Sequence, residues 1–246
     1  DEKAITSWNA MLAASLFESY KYVKDARFVD VALNILNRIK QQWELNHHLP
    51  RILNYKTGKG MLDDYAYTVI AFYRAYEITH NQEWLDLTQA IFSKTLEAFD
   101  VDKALLNYYP ASEYLFSRKT EWMDTVIPSS NALIANIAFD LGYVLKNTEY
   151  TQKGEAMLQT MTELMQKHPL MLGAWLDAAL SSKEKIYVSI GEHYNVGEIR
   201  DYFAKEYLFP DVLPLTQGEN NDILVCQGNE CYAPVKSINE ALALFR

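Results

Sequence analysis

The chain is 246 residues long and 49% hydrophobic, and its 23 basic and 32 acidic side chains give a formal charge of −9. That is enough apolar material for one large or two modest domains, and it argues against global disorder. The acidic balance, with no Lys/Arg cluster, excludes a phosphate-tracking nucleic-acid surface; no apolar run approaches the ~20 residues that cross a bilayer, and the first residues show no leader pattern, so the expected setting is cytoplasmic.

Three segments then line up without gaps, which is the signature of an internal repeat. The first opens at Thr6-Ser7-Trp8-Asn9 and passes Tyr20, Phe28 and Ile35. The second opens at Leu62-Asp63-Asp64-Tyr65 and passes Tyr76, Trp84 and Ile91. The third opens at Pro128-Ser129-Ser130-Asn131 and passes Gly142, Tyr150 and Met157. The offsets, from position 6 to 62 and from 62 to 128, are 56 and 66 residues.

Each copy reads as a mostly apolar first helix, a short polar turn and a more amphipathic second helix. Met11, Leu12, Leu16 and Phe17 follow the helical period in the first copy. The turns are Lys24-Asp25-Ala26, His80-Asn81-Gln82 and Lys146-Asn147-Thr148. Short turns make each pair antiparallel, the apolar helix is the buried one, and its partner keeps a wet face. The longer linkers, 46–61 and 100–127, therefore gather at one rim. This pattern predicts a mainly α fold of repeated helix hairpins forming part of an α/α toroid over residues 1–180, with a plain helical solenoid as the alternative. Three hairpins make half of a six-hairpin ring. The other half is expected either upstream in a longer parent or in a second copy, as a homodimer, because an open half-ring leaves a large apolar edge.

The repeat fades after about residue 168. Leu170–Leu180 reads as a short helix. Strands are expected at 186–190, 211–215, 222–226 and 231–235, with helices at 196–207 and 237–245 and Ser237 as N-cap. Residues 181–246 thus form a small α/β element, expected to pack on the helical part.

Chemistry-bearing residues concentrate at the inner-helix starts. Ser7, Asp63 and Ser129 suit helix caps, which accept orphan N–H bonds and complement the helix dipole. Capping accounts less well for a second polar group beside each of them, so Asp64 and Asn131 are expected to face a central cavity. With Asp63 and Asp124 they are the candidate catalytic and binding groups. Adjacent Asp63 and Asp64 should diverge, which makes Asp124 the expected partner of either. Paired carboxyls at a rim are what glycosidic chemistry needs, and a sugar epimerase would use a base such as His47, His48 or Asp64. Trp8, Asn9, Arg51, Tyr65, Arg118 and Asn131 complete the candidate substrate-binding set for a carbohydrate or other small polar ligand. The competing reading is a non-catalytic binding module using Tyr55, Tyr65, Tyr108, Tyr109 and Trp122.

Cys226 and Cys231 are the two cysteines, in a C-x4-C across a turn. Zinc wants four ligands, and with five His and no further Cys no metal site is expected. Reduced thiols are the default; a hairpin-bridging disulfide requires Cα atoms within ~7 Å. The single Gly191 after a strand is no nucleotide motif, so no cofactor is expected.

Taken in order, Thr6-Ser7-Trp8-Asn9, Leu62-Asp63-Asp64-Tyr65-Ala66, Pro128-Ser129-Ser130-Asn131 and Val225-Cys226-Gln227 with Cys231 and Pro234, together with Arg118 and Asp124, resemble the C-terminal portion of YyaL-like proteins, related to spermatogenesis-associated protein 20. The likeness spans essentially the whole chain. It implies an upstream half of a six-hairpin toroid and a thioredoxin-like domain ahead of it as partners. The toroid is similar to those of glycoside hydrolases and N-acylglucosamine 2-epimerases. The family usually has Gly where this chain has Ser130, and the redox cysteines of the upstream domain are not in this sequence.

Overall fold

The structure, a computed structural model, describes residues 2–55, 58–99, 104–110, 119–215, 222–228 and 230–245. Two compact units divide the chain, Asp1–Ala179 and Leu180–Arg246.

The first unit is a series of antiparallel hairpins, as the repeat predicts. They are α1 (Thr6–Val23) with α2 (Ala26–Asn46), α3 (Leu62–Thr79) with α4 (Gln82–Phe99), and α5 (Ser130–Val144) with α6 (Thr148–Lys167). A 3-10 turn at Pro169–Met171 leads into α7 (Gly173–Glu184). The first helices form an inner row in which α3 lies between α1 and α5. This placement buries α3 on nearly every face, including Ala66, Val69, Phe72, Tyr73 and Tyr76. The second helices bury one stripe each, such as Ala32, Leu36 and Ile39 of α2 or Trp84, Ile91 and Phe92 of α4. Edge-to-face rings stitch the rows: Phe72 to Trp84 at 5.3 Å within a hairpin, and Phe92 to Tyr150 at 4.9 Å between α4 and α6. Repeated antiparallel hairpins with a buried inner row are the arrangement of an α/α toroid.

The hairpin turns share one device. Lys24, His80 and Lys146 adopt left-handed backbone, with φ of 59°, 54° and 52°. The next residue, Asp25, Asn81 or Asn147, then turns its side-chain oxygen onto the N–H two positions on, at 3.0 Å in each case. A non-glycine residue in this region costs roughly 1–2 kcal/mol, and a cap of this kind returns about 1 kcal/mol.

At that end of the inner row lies a buried charge cluster. Glu77 has no exposed surface and meets Lys21 at 2.8 Å and Arg74 at 2.9 Å. Arg74 also reaches Glu18 at 2.7 Å, so the two helices α1 and α3 are joined by a closed set of charges.

The second unit holds a sheet of order β2-β1-β3-β4. Its strands are β1 (Ile186–Ile190), β2 (Asp211–Pro214), β3 (Ile223–Gln227) and β4 (Glu230–Cys231). β1 and β2 are parallel and linked through α8 (Val196–Lys205), whereas β1–β3 and β3–β4 are antiparallel. The core gathers Val188, Ile190, Ile199, Phe203, Val212, Ile223 and Val225 with Ala241 of α9 (Ile238–Ala243), whose Ser237 cap accepts from the Glu240 N–H. The strand expected over 231–235 is cut short. β4 stops at Cys231, and Val235 returns only as an isolated bridge to Ile223, because Pro234 between them has no N–H for a ladder. The default of two reduced thiols is also corrected: Cys226 and Cys231 are cross-strand partners with Cα atoms 4.0 Å apart and are joined as a disulfide. No helix among the described residues is long and apolar enough to cross a membrane.

Replacing Glu77 by Ala removes the buried acid of the set and leaves Lys21 and Arg74 to share the more exposed Glu18. We expect a loss of about 2–4 kcal/mol, read as a lowered midpoint in urea. An unchanged midpoint would show that the two cations find water instead.

Candidate functional site

The helix starts and linkers meet at one end of the first unit. Asp64, one turn into α3 and without exposed surface, accepts the Ser7 N–H at the start of α1 at 2.9 Å. Its second oxygen accepts the Met61 N–H at 2.8 Å, closing its own helix start. Arg51, from the linker before α3, donates to the first oxygen at 3.1 Å. The same Arg51 nitrogen donates to Asp63 at 2.6 Å. Adjacent Asp63 and Asp64 therefore do not diverge as expected from helical geometry. A cation supplied by the linker draws both onto one nitrogen.

The two carboxyls differ in their surroundings. Asp64 is pushed up from 3.8 to about 6, first by burial and next by the Asp63 charge, against the pull of the Met61 N–H, Arg51 and the Ser7 N–H. Asp63 is 4% exposed and accepts the Tyr108 hydroxyl at 3.2 Å. Tyr108 is held in turn by its backbone, whose carbonyl accepts the Leu62 N–H at 3.0 Å and whose N–H donates to the Lys119 carbonyl at 2.7 Å.

Asp124, the partner expected for either aspartate, makes its hydrogen bonds to helix starts. One of its oxygens accepts the Ser129 N–H and the other the Ala174 N–H, both at 2.8 Å, so it clamps the starts of α5 and α7. Asn131 is fully buried and spends its amide on the second linker, accepting from the Leu106 N–H at 2.7 Å and donating to the carbonyls of Leu106 at 2.9 Å and Glu121 at 2.7 Å. Tyr65 is 3% exposed, with its hydroxyl accepting the Leu49 N–H at 3.1 Å and its ring edge-on to Phe99 at 5.1 Å. Asn9 donates to the Ile5 carbonyl of its own helix start at 2.8 Å. Trp8 is 62% exposed on the first turn of α1. His47 closes α2 in left-handed backbone. Arg118 lies outside the described residues.

Two further groups complete the site. Glu121 is half-buried, and burial raises its carboxyl above the usual range; neighbouring Ser130 lowers it and the Asp63 charge raises it. Its Oε2 is shut off from solvent and accepts no hydrogen bond among the described residues. Tyr67 donates to the Pro128 carbonyl at 3.5 Å; burial first, then Glu121, Asp63 and Asp124, hold its phenol well above the ordinary value. Tyr67 follows Asp63 by four positions on one helix, so face periodicity points to it. Glu121 carries the weaker signal of a carboxyl three residues before Asp124 in a rim linker.

No family model matches the chain. An uncharacterized protein of Caenorhabditis elegans is 21% identical across 100% of this chain, which spans 38% of that relative's length. Among solved structures, the GH76 α-1,6-mannanase of Salegentibacter sp. HEL1_6 superposes with a TM-score of 0.55 at 16% identity, over 65% of this chain and 47% of that one. Variants of that enzyme with two consecutive aspartates replaced by alanine or by asparagine are described as inactive, and were solved with α-1,6-mannotetraose and α-1,6-mannotriose. The GH76 α-mannanase of Bacteroides thetaiotaomicron superposes at 0.59 and 12% identity, over 91% of this chain and 64% of that one. The chain thus shares with them the repeated antiparallel hairpins of an α/α toroid, and it spans about half to two thirds of their length. At these identities the likeness is one of fold alone.

Because the Asp64 carboxyl is raised, the stability contributed by its protonated form is fully present below 3.8 and is lost as pH rises through about 6. The loss is on the order of 3 kcal/mol. Urea melts from pH 4 to pH 7 should show falling stability, and Asp64→Asn should flatten the slope. The variant should also be weaker at pH 5 by about 1–3 kcal/mol, since an amide NH2 then faces N–H donors. A flat wild-type profile would show that the three donors keep Asp64 ionised throughout.

Proposed function

We propose that this rim binds a carbohydrate and acts on its glycosidic bond, with Asp63 and Glu121 as the working carboxyls. The observation that carries this reading is the contrast between them on one rim: Asp63 faces the Arg51 cation and the Tyr108 hydroxyl, whereas Glu121 is raised by burial and has an oxygen without a partner among the described residues. A carboxyl whose burial favours its protonated form suits the acid that protonates a leaving oxygen, and a carboxyl held by a cation suits the base or nucleophile. Asp64 and Asp124 act as positioning residues, since their oxygens are taken up by backbone N–H groups. The consecutive pair Asp63-Asp64 parallels the consecutive aspartates whose replacement marks the inactive mannanase variants. α-1,6-Linked mannose chains are therefore the first ligands to try.

A second reading, a non-catalytic binding module within a longer thioredoxin-domain-containing protein, is favoured by the same hydrogen bonds: Asp63, Asp64 and Asp124 all have protein partners. The cytoplasmic location expected from sequence would have to accommodate the Cys226–Cys231 disulfide, a bond that reducing compartments tend to keep open.

The test is calorimetric titration and a reducing-end assay with α-1,6-mannotriose and a panel of other oligosaccharides. Asp63→Asn and Glu121→Gln should each lower turnover by about 100-fold or more, with thermal midpoints and binding close to wild type. Binding without turnover selects the second reading. Absence of both across the panel rejects the carbohydrate assignment.

A further inference from the structure

The proposed chemistry of the rim makes no use of the C-x4-C pair. Its two sulfurs, bonded at the β3–β4 hairpin of the second unit, have unlike surroundings. Cys226 has no exposed surface, whereas Cys231 lies on an exposed two-residue strand at the end of the sheet. A groove of about 400 Å³ opens beside the hairpin, lined by Ser182, Lys183, Glu184, Gln227, Glu230 and Tyr232. The last three of these adjoin the cysteines: Gln227 follows Cys226, and Glu230 and Tyr232 bracket Cys231.

The hairpin is held by more than the bond. Side chains alternate along β3, so Ile223 and Val225 enter the core while Cys226 turns to the other face. The bridged residues are only five positions apart, so the closed loop removes little entropy from the unfolded chain. Other groups seat the turn. The Gly228 N–H donates to the Lys185 carbonyl at 2.9 Å, and the Tyr232 N–H to the Val225 carbonyl at 2.9 Å. Gln227 Nε2 donates to the Glu184 carboxylate at 3.0 Å. Gly228 has left-handed backbone, with φ of 54°, and a Cβ there would stand 2.5 Å from the Lys183 carbonyl oxygen. With the bond open, these contacts keep the two thiols side by side.

We infer that Cys226–Cys231 is a thiol-exchange site that takes a small polar thiol at Cys231. The incoming thiolate attacks Cys231 Sγ at the exposed strand and forms a mixed disulfide with it. The Cys226 sulfur leaves with the electron pair of the broken bond and takes up a proton. A second small thiolate attacks the small molecule's sulfur in the mixed disulfide. That step releases the small-molecule disulfide and the Cys231 thiolate, which is protonated in turn. Two small thiols are oxidised as the protein pair is reduced, and the reverse sequence restores the bond. Access selects the sulfur, because exchange depends on which one a thiolate can reach. The lining of the groove, with one lysine and two acids, suits a thiol carried on a short polar molecule. The site does not depend on what the rim binds.

The experiment holds the 246-residue chain in buffers of stepped reduced-to-oxidised glutathione ratio, quenches with acid, alkylates free thiols and reads the peptide by mass spectrometry. The bond should open and reclose with one midpoint, while the backbone amides of β1 and β3 stay protected from hydrogen exchange. Single variants test the direction of attack. Cys226→Ser, which keeps Cys231, should form a mixed disulfide with oxidised glutathione at least about tenfold faster than Cys231→Ser does at Cys226. The wild-type titration needs neither variant to fold. A bond that stays closed at every ratio until urea unfolds the chain overturns the inference, as do equal rates in the two variants. Loss of amide protection in β1 and β3 on reduction also overturns it, by making the bond a structural one.

Discussion

A single buried carboxyl organises the rim. Asp64 accepts hydrogen bonds from the starts of two inner helices and from the linker between them, at Ser7, Met61 and Arg51. Parallel inner helices have no hydrophobic reason to begin at the same height, because apolar faces slide. Directional hydrogen bonds to backbone N–H groups fix that height, and they are strongest when the acceptor is charged and dry. The constraint carries a penalty, seen in the raised carboxyl of Asp64, and Arg51 offsets it. Arg51 can do so only if its linker is folded back over the helix starts, which is also what brings it to Asp63. Register of the helices, path of the first linker and placement of the Asp63 carboxylate are thus one coupled arrangement.

The second rim linker is governed by the same logic with different groups. Asn131 holds Leu106 and the Glu121 carbonyl, while Asp124 holds the starts of α5 and α7. Polar residues at inner-helix starts therefore serve mainly as anchors for loops. The groups these anchors hold in place include Asp63, Glu121 and the hydroxyls of Tyr67 and Tyr108.

The helical architecture was legible because it rests on local periodicity. Buried helices are apolar all round, outer ones are striped, and Lys24-Asp25, His80-Asn81 and Lys146-Asn147 mark the turns. The tail was legible for the same reason, except at its last strand, where Pro234 removes a donor and shortens the pairing. The site was legible as a set of residues and much less so as a set of roles. Nothing local indicates that Arg51 would draw Asp63 and Asp64 together, or that Asp124 would be taken up by Ala174, 50 positions on. The fate of the cysteines likewise depended on β3 and β4 placing them directly opposite each other, which C-x4-C spacing alone does not dictate.

The two ends of the first unit are built from different kinds of connection. One end is closed by tight caps that use only neighbours in sequence, and the other by long linkers pinned through distant contacts. The ten residues by which the second repeat offset exceeds the first, 66 against 56, fall outside the aligned helix pairs, on the linker side. Insertions there leave helix register untouched, since register is set by caps at one end and anchors at the helix starts. Such a scaffold can diversify what it recognises while its framework stays constant, much as a loom keeps its warp while the pattern changes.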